Sequence, residues 1–172
     1  MNNPFMLYLY EHRPYLAEKI VQLLRYNKII NIYGSPGIGK TTICNFCLEQ
    51  YFRNTNQIII DPDKYNSLFE YNWKENCIYI FEDCDDINLS KEIIRNINSS
   101  NPYTKFIFIS RNRIKQLEYI GAIEIEVPPF NNDEIFNLFL KRIYYEEGHN
   151  KIMIRQKIVE TLNAYNGNIL QR

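Results

Sequence analysis

The sequence predicts an α/β fold: three layers, with a five-stranded, mostly parallel sheet between helices, followed by the start of a helical lid. Three observations lead there. Short, nearly unbroken apolar runs recur at 58–60, 77–81 and 106–109. Strands that read this way are buried on both faces, as in a parallel sheet covered by helices. Amphipathic stretches with helical periodicity lie between them. A glycine-rich loop, Gly34 to Thr41, joins the first strand to a helix.

The elements follow in order. Pro14 suits a first helical turn, and Ala17, Ile20, Val21 and Leu24 then form an apolar face, with Glu18, Lys19, Gln22 and Arg25 outward. A strand over 29–33 runs straight into the glycine loop, and a helix is predicted over about 40–52. On that helix Cys44, Cys47, Leu48 and Tyr51 fall at i, i+3, i+4 and i+7, the stripe that faces a core. The Cys44-x-x-Cys47 spacing is therefore read as packing rather than as a metal or redox motif, since buried cysteine behaves as a small apolar residue. After the strand at 77–81, a helix carries Leu89, Ile93, Ile94 and Ile97 on one side. The last strand, 123–127, alternates strictly and is expected half exposed at a sheet edge. Pro128-Pro129 breaks the pattern, and Asn131 or Asn132 can cap a further helix, with Asp133 and Glu134 favourable to its dipole. Ile135, Leu138, Phe139 and Ile143 give that helix its apolar face, and one more helix is expected over about 152–165. The expected division is an α/β domain over 1–127 and an incomplete helical lid over 128–172.

Composition sets the outer limits. A chain of 172 residues with 45% apolar and 23% charged residues can bury one proper core. Lys+Arg and Asp+Glu balance at 20 each, so no long-range field toward nucleic acid or an anionic membrane is expected. No apolar run reaches the roughly 20 residues of a membrane span, and the first residues lack a signal-peptide pattern. A cytoplasmic protein without membrane partners is expected.

The chemistry is concentrated in the loop. Gly34, Ser35, Pro36, Gly37, Ile38, Gly39, Lys40 and Thr41 fill the pattern G-x-x-x-x-G-K-S/T, with Thr42 following. Glycines let successive backbone N–H groups turn inward with no Cβ in the way, forming an anion nest at a helix N-terminus. Lys40 is placed to reach the β- and γ-phosphates, and the Thr41 hydroxyl to bind Mg²⁺. The chain has only six glycines, and three of them sit within these six positions, which argues against a chance turn. The expected cofactors are ATP or ADP with Mg²⁺.

Such a loop needs an acidic residue at the end of a neighbouring strand. Glu82 and Asp83 follow the run 77–81. Glu82 stands at the metal position, to hold Mg²⁺ through water, and Asp83 is the candidate for orienting an attacking water. A solvated acidic turn formed by Glu82, Asp83, Asp85 and Asp86 is the plainer alternative. The run 106–109 ends in Ser110-Arg111-Asn112. Ligands of α/β sheets sit beyond the carboxyl ends of the strands, so Arg111 is a candidate to contact the γ-phosphate. The alternative is a salt bridge from Arg111 to the acidic turn. Arg113 and Lys115 read as surface charges.

These residues resemble the STAND class of P-loop ATPases, which includes NB-ARC and related signalling switches. Tyr10-Glu11-His12-Arg13 resembles the family's entry motif, with His12 in place of glycine, and implies that Arg13 helps bind the cofactor. Residues 31–42 are similar to its phosphate loop, 81–86 to its acidic strand end, and 105–113 to its sensor strand. Residues 127–130, with Asp133-Glu134 and Leu138-Phe139, resemble its lid entry, and Gly167-Asn168-Ile169-Leu170 its adenine-side motif. Two departures are Glu82 for aspartate and Ile169 for proline. The chain ends at Arg172, where the family continues, so a fragment or a core needing a partner is expected.

The resemblance implies a nucleotide-gated signalling switch with slow ATP hydrolysis and a protein partner or self-association. The second resemblance is to clamp-loader AAA+ ATPases, through Glu82-Asp83-Cys84-Asp85, with Asn112 as sensor and Gly148 near the lid. It implies turnover on a DNA-bound or protein partner. Against it, Tyr119-Ile120-Gly121-Ala122 occupies the place of the arginine finger, and Leu170 that of a lid arginine.

Overall fold

The computed structural model describes residues 13–135 and 137. Tyr10 to His12, Leu138 and everything beyond it, including Ile143, Gly148, the helix expected over 152–165 and Gly167 to Leu170, lie outside the described residues. Two compact units divide the chain, Met1–Pro128 and Pro129–Arg172.

In the first unit the elements run α1 (Pro14–Tyr26), β1 (Ile29–Tyr33), α2 (Lys40–Tyr51) and β2 (Asn56–Ile60). A 3-10 segment (Pro62–Glu70), β3 (Cys77–Phe81), a 3-10 turn (Cys84–Asp86) and α3 (Lys91–Ser99) follow. The unit continues with β4 (Lys105–Ser110), a single helical turn α4 (Lys115–Glu118) and β5 (Ile123–Glu126). All pairings are parallel, in the order β2-β3-β4-β1-β5. The predicted five-stranded α/β sheet is what forms, with β5 at an edge.

Residue alternation sorts the sheet faces chemically. Cys77, Tyr79 and Phe81 of β3 and Phe106 and Phe108 of β4 share one buried face with Ile93 and Ile97 of α3 and with Tyr65, Leu68 and Trp73. Phe81 stacks on Phe108 with centroids 4.4 Å apart, and Trp73 meets Phe106 edge-on at 5.0 Å, the offset and T-shaped geometries that ring quadrupoles favour. The intervening residues Ile30, Ile32, Ile78, Ile80, Ile107 and Ile109 point the other way and are equally buried. That is the side of α1 and α2, which bury Leu16, Ala17, Ile20, Val21 and Leu24, and Ile43, Cys44, Cys47 and Leu48. The Cys47 thiol donates to the Ala17 carbonyl at 3.6 Å, tying the two helices together.

Three details differ from the sequence reading. Tyr51 ends the cysteine stripe but is 44% exposed, and Ile43 joins the core, because the buried face of α2 runs along 43, 44, 47 and 48. Leu89 precedes its helix: Ser90 is the N-cap, its Oγ accepting from the Ile93 N–H at 3.3 Å. The 3-10 segment was not anticipated. It is held by Asn96, whose Nδ2 donates to the carbonyls of Leu68 and Tyr71, both at 2.8 Å.

At the sheet ends nearest the strand N-termini, lysines satisfy helix carbonyls. Lys28 Nζ donates to Asn98 and Ser100 at the end of α3, and Lys105 Nζ to Asn27, just beyond α1, at 3.0 Å. These contacts complete open carbonyls at helix C-termini.

In the second unit, residues 132–135 are helical. Asn131 is the cap: its Oδ1 accepts from Glu134 N–H, and its own N–H donates to Glu134 Oε2, both at 2.8 Å. This reciprocal pair is a capping box.

One buried polar side chain stands in the middle of the sheet. Asn31 of β1 is fully buried; its Nδ2 donates to the Phe108 carbonyl (3.2 Å) and to Ser110 Oγ (3.0 Å), and its Oδ1 accepts from Ile114 N–H (3.2 Å). Replacing it by an apolar isostere strands the Ile114 N–H. Asn31→Leu is expected to cost about 1–3 kcal/mol, the penalty for a buried unsatisfied donor. Urea unfolding reads this as a lower midpoint at constant slope; an unchanged midpoint would show that the amide holds nothing.

Candidate functional site

The loop between β1 and α2 has the backbone its glycines permit. Gly34, Gly37 and Gly39 have φ of +147°, +75° and +87°, the region that side chains disfavour. At Gly34 space is limiting as well: a Cβ there would lie 2.5 Å from the Val127 carbonyl oxygen and 2.6 Å from Ile38 Cδ1. The Val127 N–H in turn donates to the Tyr33 carbonyl at 2.8 Å, so the chain after β5 lies against the start of the loop. Ile38 is buried and pins the loop, while Ser35, Pro36 and Gly37 are exposed.

Lys40 opens α2, and its Nζ donates to the carbonyls of Gly34 (2.8 Å) and Ser35 (2.9 Å). Burial lowers its pKa, while the charges of Asp85 and Asp83 pull it up and that of Arg111 pushes it down. The four charged side chains therefore share one electrostatic neighbourhood. Thr41 and Thr42, in the first turn of α2, are half-buried.

The acidic strand end is built by β3. Glu82 follows the strand directly, and its carbonyl accepts from Tyr65 Oη at 2.6 Å. Burial, and then the charge of Asp83, raises the Glu82 pKa. Asp83 is exposed and left-handed, with φ +49°, a conformation that Asp and Asn tolerate better than other residues with a Cβ. It turns the chain into Cys84–Asp86. Cys84 is buried there, donating to the Ile109 carbonyl at 3.2 Å, and burial pushes its thiol up to about 12.

Arg111 sits just beyond β4. Of its two expected contacts, the structure shows the one to the acidic turn: Nε lies 3.6 Å from Asp85 Oδ2, and the Arg111 backbone N–H donates to Asp85 Oδ1 at 2.6 Å. Asn112 N–H donates to the same oxygen at 3.2 Å. Arg113 is not the plain surface charge it resembled, since it pairs with Glu118 at 3.2 Å and closely with Glu124 of β5. Arg13 is fully buried, and its Nη1 donates to the Pro128 carbonyl at 2.8 Å.

Parallel pairing thus brings together the loop (34–41), Glu82 and Asp83, and Arg111. Two residues take a place here that no motif assigned to them. Tyr65 is one, arriving from the 3-10 segment. Asp85 is the other: the acidic motif includes it, but its contact to the backbone after β4 was not assigned.

The donor set suits Mg²⁺ better than an all-protein metal cage. No cluster of three or more His, Cys, Asp or Glu side chains exists among the described residues. One hydroxyl and one carboxylate, completed by phosphate oxygens and water, is how Mg²⁺ is usually held.

Burial of Glu82 has a measurable consequence. Its folded-state pKa is raised, so the ionised carboxylate destabilises the fold above that pKa, and the cost disappears as pH falls toward the ordinary glutamate value of 4.5. Without Mg²⁺ and nucleotide, Glu82→Gln is expected to melt slightly higher than the parent chain at pH 7–8. The two should converge near pH 4. A variant that melts lower at neutral pH would contradict a strained Glu82.

Comparison with known proteins agrees with this geometry. The model of a family described as Novel STAND NTPase 3 matches residues 14–119, well over half of the chain. Among curated proteins, none matches. Similar solved structures include domain III of the replication initiation protein DnaA from Thermotoga maritima, at 15% identity and TM-score 0.60, covering 96% of this chain and 92% of that one. The Walker-type ATPase paby2304 of Pyrococcus abyssi is similar at 16% identity and TM-score 0.57, covering 88% and 62%. AMPPCP-bound DnaA from Aquifex aeolicus is similar at 15% identity and TM-score 0.55, covering 90% and 60%. At these identities the likeness establishes the fold alone, and the chain spans less than two thirds of the last two.

Proposed function

The chain belongs to the novel STAND NTPase 3 family, and on that premise we propose that it is a nucleotide-gated switch: it holds ADP at rest, takes ATP when activated and resets by slow hydrolysis. A P-loop NTPase domain of STAND type is the established part. The switch, the identity of the nucleotide and the use of Mg²⁺ are the proposal. One observation carries it: the parallel register of β1, β3 and β4 sets the phosphate loop, the acidic turn after Phe81 and the Arg111 turn at one end of the sheet, with Asp85 of the acidic turn bonded to Arg111 N–H.

In this reading the backbone N–H groups of 34–41 cradle the phosphates, and Lys40 exchanges its loop carbonyls for phosphate oxygens. Thr41 and Glu82 would hold Mg²⁺, which supplies charge neutralisation at the phosphates. Asp83 orients the attacking water, and its exposure leaves it accessible to solvent. Arg111 contacts the γ-phosphate through donors suited to bidentate recognition. Arg13, through Pro128, connects the start of α1 to the chain leaving the sheet domain, the segment a switch of this kind must move.

The expected lid over 128–172, a cytoplasmic setting, and a partner that is either another protein or a second copy of this chain belong to the same proposal. One similar structure, DnaA from Aquifex aeolicus, is AMPPCP-bound, which fits a site for an adenine nucleotide.

Calorimetry on the full chain tests the reading. Lys40→Ala is expected to cost about 2–3 kcal/mol of triphosphate binding, the loss of one charged hydrogen-bonding group. Asp83→Asn, which keeps a residue suited to the left-handed turn, should bind ATP normally and lose hydrolysis. Unchanged ATP affinity in Lys40→Ala would remove the site. Turnover stimulated strongly by DNA would instead favour a working motor of the clamp-loader kind.

A further inference from the structure

Asp85 divides its two carboxylate oxygens between two tasks. Oδ1 accepts the backbone N–H groups of Arg111 (2.6 Å) and Asn112 (3.2 Å), the first two past the end of β4. A carboxylate that accepts two main-chain donors makes charge-assisted bonds, stronger than neutral ones. Oδ2 lies 3.6 Å from Arg111 Nε, beyond hydrogen-bond length, and the Arg111 side chain is 64% exposed against 21% for Asp85. A pair of that length and exposure contributes little. The backbone of the turn is thus held firmly by Asp85 and its guanidinium only loosely.

The same turn is held from its other side. Ser110 Oγ donates to the Asn112 carbonyl at 2.6 Å, and Asn31 bonds both Ser110 Oγ and Ile114 N–H. Asp85 itself is anchored by its neighbour Cys84, buried against the Ile109 carbonyl.

We propose that Asp85 is a positioning residue that sets the preference for triphosphate over diphosphate, by fixing the Arg111–Asn112 turn while leaving the Arg111 guanidinium available to a γ-phosphate. The inference rests on the nucleotide-binding reading above. A diphosphate offers Arg111 nothing in the γ position, so its affinity does not depend on where the turn is held. A triphosphate does, and a pre-set turn spares it the ordering of a mobile arginine. Asp85 acts through Arg111, not on the ligand.

The test measures ATP and ADP affinities of the full chain with Mg²⁺, together with amide hydrogen exchange at Arg111 and Asn112 in the absence of nucleotide. Asp85→Ala is expected to weaken ATP roughly tenfold while ADP stays within about twofold, the scale of one lost charge-assisted contact. Exchange at the two amides should accelerate. Asp85→Asn, whose side-chain carbonyl still accepts both N–H groups, should retain most of the ATP preference and of the protection, which a role resting on charge alone would not allow. In an Arg111→Ala background, Asp85→Ala should add no further loss, since the two act as one unit.

Equal loss of both nucleotides would reduce Asp85 to a structural support and overturn the proposal. Tighter ATP binding would overturn it too, by making Asp85 a restraint on Arg111. Should Asp85→Ala not fold, Arg111→Ala decides: an unchanged ATP-to-ADP ratio in that variant ends the proposal. A parent chain that binds neither nucleotide defeats the functional reading itself, and this inference with it. Unchanged amide exchange in a nucleotide-binding Asp85→Ala defeats the inference alone.

Discussion

The parallel pairing of β1 with β4, in the register that sets Tyr33 beside Ser110, underlies everything at the site. Because β1 is flanked by β4 and β5, the phosphate loop leaves the sheet between two neighbouring strand ends. On one side the Val127 carbonyl lies so close to Gly34 that only glycine fits there. On the other side Arg111 and Asn112 begin where the strand ladder stops. β3 pairs with β4 on its far side, Phe81 opposite Phe108, which delivers Glu82 and Asp83 to the same sheet edge. Shift that register by one residue and the aromatic and aliphatic faces exchange places.

Asn31 shows how the register is protected. An amide in the centre of a buried strand is costly unless satisfied, and three partners satisfy this one, two on β4 and one in the turn beyond it. Only the observed pairing presents those partners together. The polar groups of the two sheet ends are used differently. Near the strand N-termini, Lys28 and Lys105 are spent on helix carbonyls. Near the carboxyl ends, Asp83, Asp85 and Arg111 all bear on the charge of Lys40, and Asp85 pairs with Arg111. The first arrangement stabilises the fold, and the second leaves charges that a phosphate can rearrange.

Much of this was legible in the sequence, for physical reasons that also explain the rest. The runs at 77–81 and 106–109 announce themselves because both faces are buried, and the loop because three glycines within six positions precede a lysine and a threonine. Asn131 and its partner Glu134 are visible as a cap because both contacts are local. The segment Pro62–Glu70 was not visible: 3-10 geometry has no apolar period of its own, and its stability comes from Asn96, about thirty residues away. Arg113 looked like surface because its partners Glu118 and Glu124 belong to other elements. Asp85 was one of four acids within five positions, and nothing local distinguishes the one whose oxygen meets the turn after β4. Contacts within an element or a loop can be read from spacing, whereas contacts set by strand register cannot.

The central claim is that these strand ends form a site for an adenine nucleotide that the folded chain retains as ADP. The direct measurement is to denature freshly purified protein and identify any released nucleotide by chromatography. The account predicts near-stoichiometric ADP, lost in Lys40→Ala. Protein that releases no nucleotide, and that takes up neither ADP nor ATP when these are supplied with Mg²⁺, would contradict it.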